Sequence, residues 1–588
     1  MEGNFDDKVI GAIYEKILTE NPSKRKSTGS YYTPEEIAAY ICKHTVEKCL
    51  LDRINDRFSE NYSSLDSIVN SHSVTHLSSL VDELKEIKIL DPAVGSGYFL
   101  DSIIRELLSI YHKIRSVNEE LDLSLGLHTT IPFNNDSSKR MNLLEIDDEE
   151  EFELLLKYSI IFPRNIYGVD INPNAVEIVK IRLFLSLVKH SYTKNFDIVH
   201  LSSFRFNLRT GNALISSTRL KRESKVDYEY LKIINWHSEF PEVFENRRGF
   251  DIIIGNPPYV NPSDVDYWHL LEDSKNLYDA FIRLSVTLLT EGGRLGFIHP
   301  NSAYCQPKFR ELREFLKVNT DDLTIINFAI RPQPVFKGIM QRTAITTCKR
   351  ETNGCKTVKT SRYLRLTGTN RNELLKNPPV FDSSDIAWKF ANFIPKIGND
   401  LDHSIFCKVF SQEKAISDII DKKTGRILYY HDSGESYWTK LILDEPVGIR
   451  NGKKVRASHW RKIQVLPEYL YFLACYINSS LFYWIWLTIS DCRDLTLETL
   501  MQTPVPSIQA ITGEYSDNLK FYTKQLMQCY RDNSKYVEKR PGYASLEFRV
   551  NRCKELINEI DQVIGRIFKL NDCEIKYLVD YDREMRTG

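Results

Sequence analysis

The chain has 588 residues and a formal net charge of -1, and 42% of its residues are hydrophobic and 27% charged. This length exceeds what one hydrophobic core usually supports, so two or three domains are expected. The near-zero net charge excludes a uniformly basic surface, so affinity for nucleic acid must come from local basic clusters. The 11 cysteines show no Cys-x-x-Cys pair and no Cys/His ligand spacing, which predicts reduced thiols and no metal site.

Neither a targeting sequence nor a membrane span is predicted. The first residues, Met1 to Asp7, lack the basic and apolar regions of a signal peptide. The most apolar late segment, residues 469–489, is interrupted by Asn478-Ser479-Ser480, so it falls short of an unbroken span of about 20 apolar residues. We expect a buried helix pair there and a cytoplasmic protein.

Residues 1–86 are predicted to form an N-terminal helical region. Its clearest signal is Thr33-Pro34-Glu35-Glu36, a capping box in which Thr33 is the N-cap residue. A well-formed helix start explains these four residues. It does not explain the aromatic pair that ends in Tyr32, just before them.

An α/β layer structure is predicted from residue 87 to residue 350, where short β-rich runs alternate with helical patterns. The candidate strands are Ile87–Leu90, Ile166–Val169, Phe250–Ile254, Arg294–Ile298, Thr324–Ile330 and Thr343–Cys348. Ligands of such sheets bind outside the carboxyl ends of the strands. The unusual residues of this chain follow the strands directly, so the candidate site is expected at that edge.

A glycine-containing turn follows the first candidate strand. The segment from Asp91 to Phe99 opens an amphipathic helix, and its glycines at 95 and 97 let the backbone approach a ligand closely. The helix N-terminus can receive an anionic group, and the carboxylate of Asp91 can accept from a cationic amino group. The alternative, in which Asp91 only caps a turn, stays open.

A second acidic residue, Asp170, ends the next candidate strand. Asn172 and Pro173 follow it as the expected N-cap and first helical residue. An acidic residue at this position is well placed to hold the hydroxyls of a ribose. Orientation of a loop is the alternative for Asp170, and the sequence leaves both interpretations open.

The segment Gly255-Asn256-Pro257-Pro258-Tyr259 follows the strand Phe250–Ile254. The amide of Asn256 and the carbonyl of Pro257 can both accept hydrogen bonds from one amino group, and the ring of Tyr259 can stack on a base. Two prolines fix the backbone so that these acceptors converge. An ordinary Pro-Pro turn after a buried strand is the alternative.

Together these motifs resemble the gamma-class adenine-specific DNA methyltransferases of bacterial restriction-modification and phage-defence systems, which include type IIG enzymes. The resemblance covers residues 10–350 in the motif order of the family. Its most specific elements are Gly29 to Pro34, Asp91 to Phe99, Asp170, Gly255 to Tyr259, Tyr278 to Phe281, Gly292 to Pro300 and Val335 to Gly338.

The resemblance implies a Rossmann-like α/β domain with a mostly parallel seven-stranded sheet, which binds S-adenosylmethionine and methylates N6 of a flipped adenine in double-stranded DNA. The cofactor-binding residues that it implies are Tyr32, Thr33, Asp91, Pro92, Ala93, Gly95, Ser96, Gly97, Phe99, Asp170, Ile171, Asn212, Ala213 and Asn256. The catalytic residues that it implies are Asn256, Pro257, Pro258, Tyr259 and Phe336. Asn212 departs from the usual aspartate of the family, which loses a charge-assisted hydrogen bond.

Specificity is expected to come from residues 351–514, a mixed α/β target-recognition domain, while residues 515–588 are predicted to be helical. The DNA-binding candidates form one basic run: Arg450, Lys453, Lys454, Arg456, Arg461 and Lys462. Contact with backbone phosphates is the functional interpretation of this run, and a solvated face is the alternative.

Three further expectations concern the biological role. No Glu-x-Lys triplet lies in a plausible nuclease fold, so methylation without cleavage is predicted, with a separate nuclease or another defence subunit as a partner. RNA or a protein glutamine is the alternative acceptor, because Asn-Pro-Pro-Tyr suits any planar nitrogen. A non-catalytic DNA-binding subunit is the alternative from another class.

Overall fold

The computed structural model describes residues 33–133, 137–191, 204–215, 231–261, 264–265, 267–268, 271, 274–336, 340–433 and 438–587. The chain divides into two compact units. Unit 1 comprises residues 1–303, 308–359 and 364–384, and unit 2 comprises residues 304–307, 360–363 and 385–588.

The centre of unit 1 is a sheet of nine strands in the order β11-β10-β8-β9-β7-β6-β1-β4-β5. The strands, together with the separate hairpin β2–β3, are β1 Ile89–Asp91, β2 His128–Phe133, β3 Ser137–Asn142, β4 Ile166–Asp170, β5 Asn207–Thr210, β6 Phe250–Gly255, β7 Leu289–Pro300, β8 Thr320–Phe328, β9 Thr343–Arg350, β10 Val358–Leu364 and β11 Phe381–Asp382. Every predicted strand is present. Strands β5, β10 and β11 carry too little apolar alternation to be predicted, so the sheet is wider than the seven strands expected.

The part of the sheet that bears the candidate motifs is parallel. Strand β1 pairs in parallel with β4 and β6, β4 with β5, and β6 with β7. Strand β9 pairs antiparallel to β7 and to β8. Because β1 lies between β4 and β6, the loops that follow these three strands emerge side by side at one edge of the sheet.

Helices complete the layers of unit 1 and bury its core. They are α1 Glu35–Phe58, α2 Leu65–Val69, α3 Val74–Glu86, α4 Tyr98–Leu121, α5 Glu149–Leu156, α6 Pro173–Ser191, α7 Trp236–Glu239, α8 Pro241–Arg247, α9 Leu277–Leu288, α10 Arg310–Asn319 and α11 Arg371–Lys376. The apolar stripe predicted for α4 is buried from Phe99 to Leu108. This burial anchors the helix whose N-terminus forms the glycine turn.

Unit 2 is a mixed α/β structure with small antiparallel sheets. Its strands are β12 Lys414–Ala415, β13 Arg426–His431, β14 Leu441–Ile442, β15 Val447–Arg450, β16 Lys453–Arg456, β17 Trp460–Val465, β18 Pro504–Val505, β19 Ser534–Arg540 and β20 Tyr543–Phe548. Its helices are α12 Asp400–Phe410, α13 Leu470–Tyr476, α14 Ser480–Ile489, α15 Leu497–Met501, α16 Ile508–Ile511, α17 Glu514–Asp532, α18 Lys554–Ile567, α19 Asp572–Asp580 and α20 Arg583–Thr587.

The sequence predicts a helical C-terminal segment, but the structure shows two strands, β19 and β20, among its helices. Strands β19 and β20 form a hairpin, and β20 pairs with β15, which gives the four-stranded sheet β16-β15-β20-β19. The sequence of β19 shows no apolar alternation that would predict a strand, because its side chains are mostly charged and exposed. Residues 515–588 therefore contribute to a sheet that begins in the predicted recognition domain.

Two features of unit 2 bear on the cysteine and membrane expectations. Cys529 and Cys553 form a disulfide, whereas reduced thiols are expected from the sequence, which shows no pairing signal for residues this far apart.

In the described part of the chain, no single helix is long and apolar enough to cross a membrane. A pair bent by 82°, Pro467–Tyr476 and Ser480–Ile489, passes that test jointly, and the side chains of its two α-helices are almost all buried.

Candidate active site

The glycine turn between β1 and α4 adopts a backbone that favours glycine. Gly95 and Gly97 have φ angles of +54° and +87°, and the amide of Gly97 donates to the carbonyl of Val94 at 2.9 Å. A Cβ atom on Gly97 would lie 3.0 Å from Val179, so α6 packs closely behind the turn. A Cβ atom on Gly95 would meet only the carbonyl of Ala93, at 4.0 Å. The turn therefore offers open space over Gly95.

Asp91 lies at the carboxyl end of β1, with 1% of its surface exposed. Burial raises the pKa of its carboxyl to about 8, although a hydrogen bond from the amide of Ala93 opposes the shift. The carboxylate also borders the next motif, because a Cβ atom on Gly255 would lie 2.8 Å from its Oδ1. A buried carboxylate of this kind is favourable for a cationic ligand.

Asp170, at the end of β4, joins two loops. Its Oδ1 accepts from the amide of Asn172 at 2.8 Å and its Oδ2 from the amide of Gly95 at 2.9 Å. Burial raises the pKa of this carboxyl as well. Asp170 thus orients the glycine turn, and its carboxylate oxygens can each accept a further bond. The neighbouring Ile171 is 47% exposed.

Arg182, which no motif contains, supports the same turn from α6. Its guanidinium donates to the carbonyl of Ser96 and pairs with Asp101, and it lies 5.3 Å from the ring centroid of Tyr98. Only 2% of its surface is exposed. The signal in the sequence is an arginine on the apolar face of α6, three residues after the buried Val179.

Asn212, which follows β5, is buried and structurally engaged. Its side-chain Oδ1 accepts from the backbone N–H of Leu214 at 3.1 Å, and its backbone N–H donates to the carbonyl of Lys232 at 2.6 Å. A hydrogen bond with Asn212 opposes the rise that burial causes in the pKa of Tyr267. The next residue, Ala213, is also buried and accepts from the indole of Trp236 at 3.3 Å.

Asn256 contacts a residue from the far N-terminal side of the chain. Its Nδ2 donates to the hydroxyl of Thr33 at 3.1 Å, across a sequence separation of 223. This bond fixes the plane of the amide and turns its acceptor Oδ1 to the other side. The predicted capping box is wrong, because α1 begins at Glu35 and has no side-chain cap. The hydroxyl of Thr33 serves the site instead.

Tyr259 is held in an aromatic wall. Its hydroxyl donates to the carbonyl of Ile298 at 3.1 Å, and its ring meets Tyr278 edge-on at 6.3 Å and Phe336 at 6.5 Å. Tyr278 in turn stacks on His299 at 5.6 Å, and burial lowers the pKa of this histidine to about 4. Phe336 is only 1% exposed, so it backs Tyr259 and presents no free face.

The structure brings most of the predicted residues of unit 1 to one edge of the sheet. Tyr32 lies outside the described residues. Pro92, Ser96, Phe99 and Pro257 are buried, while Pro258 is half-buried. Two direct hydrogen bonds link the motifs, Thr33 with Asn256 and Asp170 with Gly95.

The predicted basic run of unit 2 does not form one surface strand. Arg450, Lys453, Lys454 and Arg456 lie on the hairpin β15–β16, whereas Arg461 and Lys462 lie on β17 in another sheet. Arg461 pairs with Asp432 at 2.7 Å. The six residues are therefore divided between two sheets, because the chain turns between β16 and β17, and their contact with DNA stays a prediction.

Comparisons with known proteins agree with this architecture. Residues 164–336 match the family model of the Eco57I restriction-modification methylase. This part of the chain is similar to restriction-modification methylase domains. The match confirms the predicted resemblance and the predicted cofactor, S-adenosylmethionine.

Two curated relatives contain a similar methylase region within longer chains. RM.MjaORFECS2P of Methanocaldococcus jannaschii, assigned as a type II restriction enzyme and methyltransferase, is 33% identical over 324 residues, which are 49% of this chain and 24% of that protein. The type II restriction enzyme and methyltransferase RM.Eco57I of Escherichia coli is 25% identical over 343 residues, which are 55% of this chain and 30% of the relative. The chain thus spans less than a third of either relative.

The fold extends beyond the methylase domain. The solved structure of the type IIL restriction-modification enzyme MmeI in complex with DNA matches with a TM-score of 0.55 and 12% sequence identity, and it covers 99% of this chain and 82% of the MmeI chain. At this identity the likeness concerns the fold. The predicted fold class, a Rossmann-like domain followed by a mixed α/β domain, is confirmed.

The residues at the edge of the sheet fit S-adenosylmethionine. The amino group of its methionine part is cationic, and the buried carboxylate of Asp91 lacks a cation among the groups that shift its pKa. The open space over Gly95 leaves room for a ligand against the turn. The exposed side chain of Ile171 offers an apolar face for a nucleobase. When bound, the cofactor supplies an electrophilic methyl group on a sulfonium.

Proposed function

We propose that this protein is a cytoplasmic, site-specific DNA methyltransferase that transfers a methyl group from S-adenosylmethionine to N6 of an adenine flipped out of double-stranded DNA. In this proposal the protein serves a restriction-modification or phage-defence system. The observation that carries the proposal is the position of Asn256 at the tip of β6, oriented by Thr33 at 3.1 Å and bordered by Asp91 and Tyr259.

Asn256 and Pro257 would bind the acceptor amine. Nδ2 of Asn256 donates to Thr33, and Oδ1 of Asn256 and the carbonyl of Pro257 are the proposed acceptors for the two protons of one exocyclic amino group. Hydrogen bonds to both protons draw the nitrogen lone pair out of conjugation and make it a better nucleophile. Holding nitrogen and methyl group in line supplies much of the acceleration.

Tyr259 would hold the ring of the flipped base. Its hydroxyl is tied to Ile298 and its ring is buttressed by Tyr278 and Phe336, so its orientation is fixed before a base arrives. A base inside the duplex has its N6 edge paired, and only extrusion brings that edge to Asn256. A pre-oriented ring lowers the entropy cost of holding the base there.

The cofactor side of the site is assigned to the other two strand ends. Asp91 would hold the amino group of the methionine part, the turn from Gly95 to Gly97 would approach its backbone, and Asp170 would accept from the ribose hydroxyls. Ile171 and Asn212 would border the adenine ring. Double-stranded DNA is the proposed partner, with phosphate contacts from the basic hairpin β15–β16.

The experiment is methylation of duplex DNA, structured RNA and cell protein by the purified chain with labelled S-adenosylmethionine, followed by nucleoside analysis. We expect label as N6-methyladenine in duplex DNA. We expect Asn256→Ala to lower the rate by about 100-fold or more, the range observed when one aligned hydrogen bond is lost from a reacting centre, while DNA binding is kept. Label that appears only in RNA or protein would refute DNA as the substrate.

Thr33 offers a matched pair of variants for the same site. Thr33→Ser keeps the hydroxyl that accepts from Asn256, and Thr33→Val removes it with little change of shape. We expect Thr33→Ser to retain most of the methylation rate and Thr33→Val to lose about tenfold, near the value of one hydrogen bond. Equal rates in the two variants would contradict the orienting role of Thr33, and full activity of Asn256→Ala would favour a non-catalytic DNA-binding subunit.

A further inference from the structure

Three side chains of unit 2 bring a carboxylate, an imidazole and a thiol to one place far along the chain from the methylase motifs. Nε2 of His403 lies 3.0 and 2.9 Å from the two carboxylate oxygens of Asp385. Sγ of Cys407 lies 3.9 Å from the same Nε2. One ligand atom from each residue lies within 4.8 Å of the other two. We propose that Asp385, His403 and Cys407 form a binding site for a zinc-class divalent cation.

The helix α12 fixes two of the three ligands. His403 and Cys407 are four residues apart on α12, so their side chains project from the same face of the helix. The helix start is capped, because Oδ1 of Asn399 accepts from the amide of Asp402 at 2.8 Å. The buried carboxylate of Asp402 accepts in turn from Trp484 at 2.8 Å. The ligands therefore project from a well-anchored element.

The distances agree with tetrahedral coordination. Zinc bonds of about 2.0 Å to nitrogen or oxygen and about 2.3 Å to sulfur place tetrahedral ligand atoms about 3.3 Å (N to O) and about 3.5 Å (N to S) apart. The observed separations of 2.9 Å between His403 and Asp385 and 3.9 Å between His403 and Cys407 need only small side-chain rotations to reach those values.

The surroundings leave room for a fourth ligand. The side chains of Asp385 and His403 are 56% and 29% exposed, so water can complete the coordination from the solvent side. On binding, a sulfur–metal bond replaces the S–H bond of Cys407, whose proton passes to buffer. Neutral His403 gives the lone pair of Nε2, so on binding the proton that Nε2 donates to Asp385 moves to Nδ1 through solvent.

The ligand set selects the cation. Thiolate and imidazole favour zinc or cobalt, whereas magnesium and calcium prefer an all-oxygen shell. A second group in unit 1, His112 with Glu149 and Glu153, has no thiol, and Glu153 is already paired with Lys157 at 3.2 Å. The site at Asp385 is therefore the one that would produce a cobalt–thiolate signature. Its sequence signal is the spacing His-x-x-x-Cys, which the expectation of no metal site overlooked.

The test is titration of the full chain with Co²⁺ after removal of metal by a chelator, in a metal-free phosphine reductant. We expect one equivalent to produce a thiolate-to-cobalt charge-transfer band and the visible bands of a tetrahedral site, and Zn²⁺ to displace them. Cys407→Ser should abolish the charge-transfer band, and Asp385→Asn should weaken Co²⁺ binding at least tenfold. Because the Asp385 side chain is exposed, that variant is not expected to disturb folding.

Cys573→Ser is the matched control, because Cys573 is an exposed free thiol outside the group. We expect this variant to bind like the wild type. Zn²⁺ should also raise the melting temperature of the wild type and leave that of Cys407→Ser unchanged, while both metal-free proteins melt alike. A charge-transfer band that persists in Cys407→Ser, or a wild type that produces none, would overturn the proposal. These readouts do not involve methylation, so they stand apart from the proposed function.

Discussion

Asp91 is a side chain that favours ligand binding and lowers the stability of the ligand-free protein. Its carboxyl is removed from water at the end of β1, and burial raises its pKa to about 8. The same group is protonated in the unfolded chain only below its ordinary value of about 3.9. Keeping an anion in this position therefore costs stability until a cation binds beside it.

The pH dependence of stability has a definite sign at Asp91. Between about pH 4 and pH 8 the folded carboxyl holds a proton that the unfolded chain has lost, so the free energy of unfolding falls as the pH rises through this window. Asp91→Asn cannot ionise and keeps the acceptor for the amide of Ala93. From pH 5 to pH 9 we expect the free energy of unfolding of the variant to rise relative to that of the wild type by about 4 kcal/mol, measured by urea unfolding of the cofactor-free protein.

The same substitution should act oppositely on binding. Asp91→Asn removes the carboxylate proposed to hold the cationic amino group, so we expect weaker binding of S-adenosylmethionine in calorimetry. A stability difference that stays constant from pH 5 to pH 9 would contradict the assigned titration. Unchanged cofactor affinity would contradict the assigned role in binding.

The turn between β1 and α4 joins helix packing to the site. Gly97 carries a left-handed backbone, and α6 lies so close that a Cβ atom would meet Val179 at 3.0 Å. Gly292 provides a matched control, because its φ is +77° and a Cβ atom there meets nothing within 4 Å. The two glycines share the backbone conformation and differ in packing.

We expect Gly97→Ala to destabilise the protein by about 2–4 kcal/mol, since it combines the cost of a left-handed alanine with overpacking. Gly292→Ala should lose only the backbone part, about 1–2 kcal/mol. Urea unfolding of both variants measures the difference. Addition of Val179→Ala should recover part of the loss at Gly97 and none at Gly292. Equal losses in the two glycine variants would contradict the close packing of α6.

The hairpin β15–β16 is the element on which the proposed DNA contact depends. Lys453 and Lys454 are exposed on it, whereas Arg461 on β17 is paired with Asp432. We expect Lys453→Ala/Lys454→Ala to reduce the slope of log binding constant against log salt concentration by about 2, since each phosphate contact contributes about 0.9. Arg461→Ala should change it less. Fluorescence anisotropy with duplex DNA at several salt concentrations measures both slopes, and an unchanged slope in the double variant would remove the hairpin from the interface.

At the scale of the whole molecule, the disulfide Cys529–Cys553 fastens the end of α17 to the segment before α18, across 24 residues. Closing a loop of this length restricts the unfolded chain and stabilises the fold by about 3 kcal/mol. We expect a reductant to lower the melting temperature of the wild type and to leave that of Cys529→Ser unchanged. Thiol titration of the denatured, unreduced chain should find nine thiols out of 11. A count of 11 would show that the bond is absent.

Much of the fold followed from local patterns. Apolar alternation located β1, β4 and β6, and the apolar stripe located α4, because these elements bury a periodic face that is visible in the sequence. Strand β10, the two-residue edge strand β11 and the charged strand β19 were missed, because their sequences show little apolar alternation and strand formation depends on the partners beside them. The predicted cap at Thr33 failed for a related reason: its hydroxyl bonds to a residue 223 positions away.

The sequence by itself determined which chemical groups stand at the ends of β1, β4 and β6: Asp91 with its glycine turn, Asp170, and Asn256 with its two prolines. These are local properties of strand ends and turns. Only the tertiary structure decided that Thr33 orients Asn256, that Arg182 supports the turn, that the basic run divides between two sheets, and that Asp385 meets His403 and Cys407. Contacts of this kind depend on how distant segments pack, and no local periodicity encodes that packing.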